Sequence, residues 1–213
     1  MQLETKHCGG NTIYDGIGWY RRYFTLSKAY KNKRVVVSFE GVMTNCEVYL
    51  NGEKITTHHG GYLGFIADLT GRIRWDENNV LAVRVSAAHD PLTPPGKPQE
   101  RMDFYYYSGI YRDVHMVITD KVYITDELQE DIVAGGGQFI TYPEVSPEFA
   151  RTHVSTHIRN LSDKGMYLQV VSRLIDSNGK TVSENKTQSK LNRESATTVE
   201  QDLPLAHPAL WHP

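Results

Sequence analysis

The stretch that decides the fold is MDFYYYSGIYRDVHMV, residues 102–117. Four consecutive aromatic residues, 104–107, precede a Ser108-Gly109 turn signal, and an alternating run follows. A period of two after a glycine predicts a β-strand that begins at a tight loop. The aromatics have two interpretations. They pack in a core, or with Asp103 they bind a sugar, because rings stack on pyranose C–H faces and a carboxylate accepts hydrogen bonds from hydroxyl groups.

Short strands separated by turn signals occupy the chain upstream of this stretch. The run RVVVSF at residues 34–39 predicts a strand that is buried on both faces, and Asn51-Gly52 predicts a hairpin. A proline-rich segment, residues 90–98, predicts a rigid loop that leads into the aromatic stretch. Many short strands at a spacing of about 8–12 residues predict a sandwich or a jelly roll for residues 1–120. The other predicted strands are residues 19–26, 47–50, 54–57, 65–69 and 80–87.

The composition changes after a joint at residues 119–121. Aromatic residues become fewer, serine, threonine, asparagine and lysine increase, and glycines interrupt the chain at residues 135–137. Strands are predicted at residues 154–158, 166–175, 181–191 and 195–203. We therefore expect a second, smaller antiparallel sandwich over residues 121–213, immunoglobulin-like but without a Cys…Trp…Cys pattern.

The composition restricts the class of protein. With 39% hydrophobic and 23% charged residues and a net charge of −2, the chain is expected to fold and not to bind nucleic acid. It has no apolar run of about 20 residues that could span a bilayer. No signal region is visible near Met1, so the compartment stays open, and the signal of a secreted or periplasmic parent would lie upstream. Cys8 and Cys46 are free thiols or form one bridge.

Two clusters contain residue types that can ligate a metal, but neither cluster is predicted to bind one. His153 and His157 share a face on a helix, but on the predicted strand they lie about 13 Å apart. The acidic group Asp126, Glu127, Glu130 and Asp131 lacks the pattern of a calcium loop, so an exposed face is expected. No nucleotide, nucleophile or zinc-protease motif occurs, so no cofactor is predicted. His58 and His59 are predicted to lie in a loop, where His59 could line a sugar cleft.

Several motifs together resemble the N-terminal sugar-binding domain of glycoside hydrolase family 2, which includes β-galactosidases, β-glucuronidases and β-mannosidases. The resemblance covers nearly the whole chain, with the motifs in the family's order and at matching spacing. The motifs are GWYRRYF (18–24), FEGV (39–42) followed by VYLNG (48–52), GGY (60–62) with Phe65 and DLT (68–70), NVLAVRV (79–85) and DFYYYSGIYRDV (103–114).

The resemblance implies an all-β chain, in which a galactose-binding-like jelly roll precedes an immunoglobulin-like sandwich. LWHP at residues 210–213 is similar to a family element inside that second domain, so the C-terminal end is expected to be truncated. Family members usually have further residues before the GWYR stretch, so the N-terminal end is expected to be truncated as well. The family's two catalytic glutamates lie on a later (β/α)8 barrel, so no catalytic residue is expected here. Asp103 would contact a sugar hydroxyl, and Tyr105, Tyr106 and His59 are further candidate substrate contacts.

The implied partners are a carbohydrate and the barrel of the parent chain, and a homo-oligomer is left open. The leading hypothesis is the non-catalytic part of a β-galactosidase. The alternatives are a β-glucuronidase or β-mannosidase, a stand-alone carbohydrate-binding module, and an adhesion-type tandem of sandwiches. Fold shape does not separate these hypotheses, because function depends on sites that are built on a fold.

Overall fold

The computed structural model describes residues 6–8, 11–13, 16–98, 101–102, 104 and 107–211. The chain divides into two compact units, residues 1–119 and 120–213. Regular structure is almost entirely β, as the sequence predicted. No helix in these described ranges is long and apolar enough to cross a membrane.

The described part of the first unit contains antiparallel strands and a short 3₁₀ turn, Lys28–Tyr30. A four-stranded sheet has the order β3-β9-β6-β7, and a three-stranded sheet has the order β11-β4-β8. Two further pairs are β1 with β2 and β5 with β10. The strands are β1 (Lys6–Cys8), β2 (Asn11–Ile13), β3 (Ile17–Thr25), β4 (Arg34–Phe39), β5 (Val42–Met43), β6 (Asn45–Leu50), β7 (Glu53–His59), β8 (Phe65–Asp68), β9 (Asn78–Ser86), β10 (Gly109–Ile110) and β11 (Val114–Thr119).

The core of this unit lies between its two larger sheets. Every second residue of β6 and β9 is buried, as expected for strands with one face toward a core. In β4 the valines on both faces are buried, which confirms the prediction from its continuous apolar run. Residues from both sheets form one cluster, which includes Val37, Phe39, Val48, Ala67 and Val83.

The predicted hairpin at Asn51-Gly52 is confirmed and joins β6 to β7. Asn51 has φ +53° and Gly52 has φ +87°, the pair of positive values that a type I′ turn requires. The predicted loop at His58 and His59 is wrong, because both residues are the last two of β7. They pair with Cys46 and Asn45 of β6, so the strand continues up to Gly60.

The alternating run after Gly109 is interrupted, although the sequence predicted one strand. Residues 111–113 leave the ladder between β10 and β11, and there the Glu40 N–H donates to the Asp113 carbonyl oxygen. β11 also lacks alternating burial, since Val114 and Val117 are both exposed. The interruption arises because the Tyr111 N–H donates to the Gly41 carbonyl oxygen and the Glu40 N–H donates to Asp113, contacts with distant residues that periodicity does not reveal. Among the described strands, β11 lies at an edge of its sheet and pairs with β4.

The second unit is a smaller sandwich. The long strand β14 has β17 along one edge, and β13 and β12 follow one another along the other. β15 and β16 form a separate antiparallel pair. Apolar residues between the two sheets, Ile158, Val170, Leu191 and Val199, form its core. The elements are β12 (Val122–Ile124), α1 (Glu127–Glu130), β13 (Gln138–Val145), β14 (Phe149–Asn160), β15 (Met166–Ile175), β16 (Thr181–Leu191) and β17 (Ser195–Ala206).

A buried glutamine connects the two sheets of the second unit. The side chain of Gln201 in β17 is almost completely buried. Its Nε2 donates to the carbonyl oxygens of Val170 and Asn185, and its Oε1 accepts from Ser172 Oγ at 2.7 Å. Buried polar groups are stable when their hydrogen bonds are satisfied, so Gln201 fixes how β17 packs on β15 and β16.

Candidate functional site

Three of the predicted sugar contacts, Asp103, Tyr105 and Tyr106, lie outside the described residues. Their described neighbours Phe104 and Tyr107 have exposures of 50% and 69%. The core-packing interpretation is therefore wrong for these two aromatic rings. Both rings therefore lie at the surface of the first unit, where aromatic side chains can contact a ligand.

The chain downstream of the aromatic stretch is fixed at Gly109. Gly109 and Ile110 form β10 and pair with Met43 and Val42 of β5. Gly109 has φ +90°, and a Cβ built there would lie 2.1 Å from the Tyr20 hydroxyl oxygen. Only glycine combines this conformation with this close approach, so the Ser108-Gly109 signal marks a real constraint on the backbone.

Tyr111 joins two other motifs to this segment. Its hydroxyl donates to the Gly61 carbonyl oxygen at 2.6 Å. A Cβ built on Gly41 would lie 2.9 Å from the Tyr111 ring, so the ring lies directly against the Gly41 backbone. The glycine motifs around residues 41 and 61 therefore meet the 109–111 segment in space. The resemblance had placed these motifs in order along the chain but not in contact.

The proline-rich loop is fixed at its first residue. The Asp90 carboxylate accepts hydrogen bonds from Thr93 Oγ1 at 2.6 Å, the Leu92 backbone N–H at 2.9 Å and Asn45 Nδ2 at 2.9 Å. These donors, Thr93 first, hold the pKa of the Asp90 carboxyl group below its usual range. The loop that leads toward residue 103 is therefore attached to β6 through an ionised carboxylate.

His59 belongs to the same network. Its Nδ1 lies 3.1 Å from Asn45 Oδ1. Since a carboxamide oxygen only accepts, Nδ1 carries the proton in this contact. The His59 side chain as a whole is exposed. Through Asn45, His59 is connected to the proline-rich loop. Sequence reasoning missed Asn45 as a contact residue, because no local pattern marks it.

His58, the neighbour of His59, has a different environment. Its ring stacks on Phe65 with a centroid distance of 4.3 Å, and Phe65 stacks on Phe39 at 4.7 Å. Burial lowers the pKa of His58. Adjacent strand residues point to opposite faces, so the half-buried His58 ring packs against Phe65 of the core and His59 faces solvent.

Cys46 lies opposite His58 and is a free, buried thiol. Burial raises the pKa of this thiol to about 12, which leaves it protonated and unreactive. Of the two hypotheses for the cysteines, the bridge is therefore wrong for Cys46.

The histidines of β14 have separate partners. His153 Nδ1 lies 2.8 Å from Asp202 Oδ1, and its Nε2 lies 3.0 Å from Glu200 Oε2. Hydrogen bonds to Asp202 and then Glu200 raise the pKa of His153. His157 is buried, and its Nδ1 lies 2.8 Å from Thr125 Oγ1. The predicted strand is confirmed, and the two rings serve different contacts.

The acidic group at residues 126–131 is only partly an exposed face. Asp126 caps α1 by accepting from the Leu128 N–H. The Glu130 carboxylate pairs with Arg159 of β14, with Arg159 Nε 2.8 Å from Oε1, and its side chain is only 7% exposed. The prediction of an exposed face is therefore wrong for Glu130, because a tertiary ion pair holds it.

Comparison with known proteins agrees with this fold. Residues 9–120 match the model of the glycosyl hydrolases family 2 sugar binding domain, and residues 137–213 match the model named glycosyl hydrolases family 2. The first match covers more than half of the chain. The chain therefore belongs to glycoside hydrolase family 2.

Individual relatives agree with the family assignment. A beta-galactosidase of Bacteroides ovatus is 32% identical over 99% of this chain and 23% of its own length. A beta-glucuronidase of Bacteroides fragilis is 29% identical over 92% of this chain and 27% of its own length. A solved family 2 member from Bacteroides cellulosilyticus has a TM-score of 0.78 and 29% identity, over 92% of this chain and 24% of that one. The chain spans about a quarter of the length of these relatives.

Proposed function

We propose that this chain is the non-catalytic N-terminal part of a retaining β-glycosidase. In this role the first unit contributes a loop to the sugar site, and the second unit has a structural role as a spacer and brace. The observation that carries the proposal is the match to both family segments along the chain. The surface position of Phe104 and Tyr107 and the fixed base of the 90–98 loop support it.

The proposed substrate class is terminal β-galactosides, with β-glucuronides as the alternative. The relatives give support to both, because the similar proteins include a beta-galactosidase and a beta-glucuronidase. The test is the full-length protein that carries this chain, assayed with nitrophenyl β-galactoside and nitrophenyl β-glucuronide. A larger kcat/KM for the galactoside supports the proposal, and a larger value for the glucuronide replaces it with the alternative.

A stand-alone carbohydrate-binding module is the second candidate, because exposed aromatic rings are also what such modules use. The two candidates differ in what the isolated chain does. A module binds sugar without further domains, whereas part of a composite site does not. We expect calorimetry of the isolated chain with galactose and lactose to detect no binding, and clear saturable binding would favour the module.

A further inference from the structure

A second cluster of polar side chains lies on the first unit, away from the Asn45–Asp90 network. Glu40 follows the last residue of β4, Asp113 precedes β11, and His115 is the second residue of β11. One ligand atom from each of the three side chains lies within 4.8 Å of the other two. All three side chains are exposed, so an ion would have access from solvent.

The pairing of β4 with β11 fixes this arrangement. Val114 lies opposite Phe39 and His115 lies opposite Ser38, and the Glu40 N–H donates to the Asp113 carbonyl oxygen at 3.1 Å. Glu40 directly follows β4 and Asp113 directly precedes β11, so the ends of these two strands bring their carboxylates and the His115 ring together, with ligand atoms within 4.8 Å of one another. Two carboxylates therefore lie close to each other, an unfavourable arrangement that a bound cation would relieve.

We propose that Glu40, Asp113 and His115 form a binding site for a divalent transition-metal ion, with Zn²⁺ as the best fit. An imidazole nitrogen with two carboxylates suits zinc and its neighbours, whereas calcium and magnesium take oxygen ligands. Tetrahedral zinc with bonds of about 2.1 Å places its ligand atoms about 3.4 Å apart. His115 Nε2 lies 3.3 Å from Glu40 Oε1, close to that separation. Water would complete the coordination.

The second unit contains a matched control with the same residue types. His153, Glu200 and Asp202 also combine one imidazole with two carboxylates on an exposed strand surface. There each ring nitrogen contacts a different carboxylate, on opposite sides of the ring. The three ligand atoms do not converge on one point, so this cluster forms an ion pair and not a metal site.

A metal ion bound at this site would link two segments of the backbone. It would join the turn at Glu40-Gly41 to the start of β11, immediately after Tyr111, whose ring lies against Gly41. This inference does not depend on the proposed glycosidase function, because the metal would bind the isolated chain.

The experiment is a titration of the isolated chain, carrying Cys8→Ser to remove a competing thiol, with Zn²⁺ by calorimetry and with Co²⁺ by visible absorption. We expect one equivalent to bind, and His115→Gln and Asp113→Asn each to weaken binding at least tenfold. His153→Gln should leave the affinity unchanged, and Mg²⁺ should not compete. The proposal would be overturned if the Cys8→Ser chain binds neither ion, or if adding His115→Gln to it leaves the affinity unchanged.

Discussion

The three histidines His58, His59 and His153 show how much one residue type depends on its surroundings. All three lie on strands, yet one stacks in a core, one bonds an asparagine and one pairs with two carboxylates. The pKa of His58 is lowered by burial, and that of His153 is raised by hydrogen bonds to its carboxylate partners. These opposite shifts predict opposite dependences of stability on pH.

For His153 we expect a contribution to stability that is present at low pH and lost at high pH. A folded pKa raised above the unfolded value of about 6.5 gives stability that is complete below that value. The contribution disappears as the pH rises through the folded pKa. Urea denaturation of wild type and His153→Gln should therefore differ more at pH 6 than at pH 9. An equal difference at both values would contradict this prediction.

For His58 the expected dependence of stability on pH has the opposite sign. A folded pKa lowered below the unfolded value gives stability that is complete above pH of about 6.5 and is lost as the pH falls through the folded pKa. Wild type should lose stability between pH 7 and pH 5, and His58→Phe, which keeps a stacking ring but cannot ionise, should lose less. An equal loss of stability in wild type and His58→Phe between these pH values would contradict this prediction.

Asp103 carries the residue-level prediction for function. In the full-length protein we expect Asp103→Asn to lower kcat/KM about tenfold or more, which corresponds to about 1.4 kcal/mol of lost transition-state stabilisation. The reason is that hydrogen bonds from a sugar hydroxyl to a carboxylate are stronger than those to an amide. The melting temperature should change little. Unchanged kinetics with a clearly lower melting temperature would instead assign Asp103 to stabilising its own loop.

At the scale of single residues, the sequence nominates candidate side chains but does not reveal their contacts. The residue types of Asp103, Tyr105, Tyr106 and His59 suggested a sugar site from one stretch and one loop. Asn45 and Asp90 were missed as partners because they are 45 residues apart and meet only through folding. The Glu40–Asp113–His115 cluster was missed for the same reason, since only the register of β4 with β11 brings the three together.

At the scale of elements, two glycines allow backbone strain to be separated from crowding. Gly52 has φ +87° with open space around its missing Cβ, so Gly52→Ala should cost about 1–2 kcal/mol through strain alone. A Cβ at Gly61 would lie 2.1 Å from the sulfur of the buried Met43. Gly61→Ala should therefore cost about 1–3 kcal/mol through overpacking.

The two effects differ in whether a second substitution can reverse them. A double-mutant cycle measured by chemical denaturation distinguishes them. Met43→Val makes room next to residue 61, so it should recover part of the loss in Gly61→Ala. The same substitution should add independently to Gly52→Ala. Independent addition in both cases would show that Met43 is not the group that excludes a side chain at residue 61.

Secondary-structure elements are predicted correctly where the residues that specify them are close together in the sequence. The Asn51-Gly52 turn and the buried β4 run are local in sequence, and both predictions are confirmed. The strand predicted after Gly109 failed at residues 111–113, because those residues bond Glu40 and Gly41, distant groups that periodicity cannot reveal. The same is true of the strand ends at His58 and His59, which depend on pairing with β6.

At the scale of the whole molecule, the chain is expected to be inactive by itself. Retaining glycosidases need two carboxylates about 5–5.5 Å apart, and the family resemblance implies that both lie on a separate barrel. We therefore expect the purified 213-residue chain to hydrolyse neither nitrophenyl β-galactoside nor nitrophenyl β-glucuronide above a buffer control. Activity that persists through a second purification would sink the assignment of a non-catalytic part.

The contact of Tyr111 with Gly41 restricts how the sequence can vary among relatives of this chain. The Tyr111 ring occupies the space that any side chain at residue 41 would need, and its hydroxyl binds Gly61. Even alanine at residue 41 would require a smaller side chain at residue 111 or a shifted turn. Across aligned relatives, residues 41 and 111 should therefore covary, with bulk at one site accompanied by loss of bulk at the other. Gly52 has open space around its missing Cβ, so it should have no covarying partner, although its φ of +87° should keep glycine favoured there.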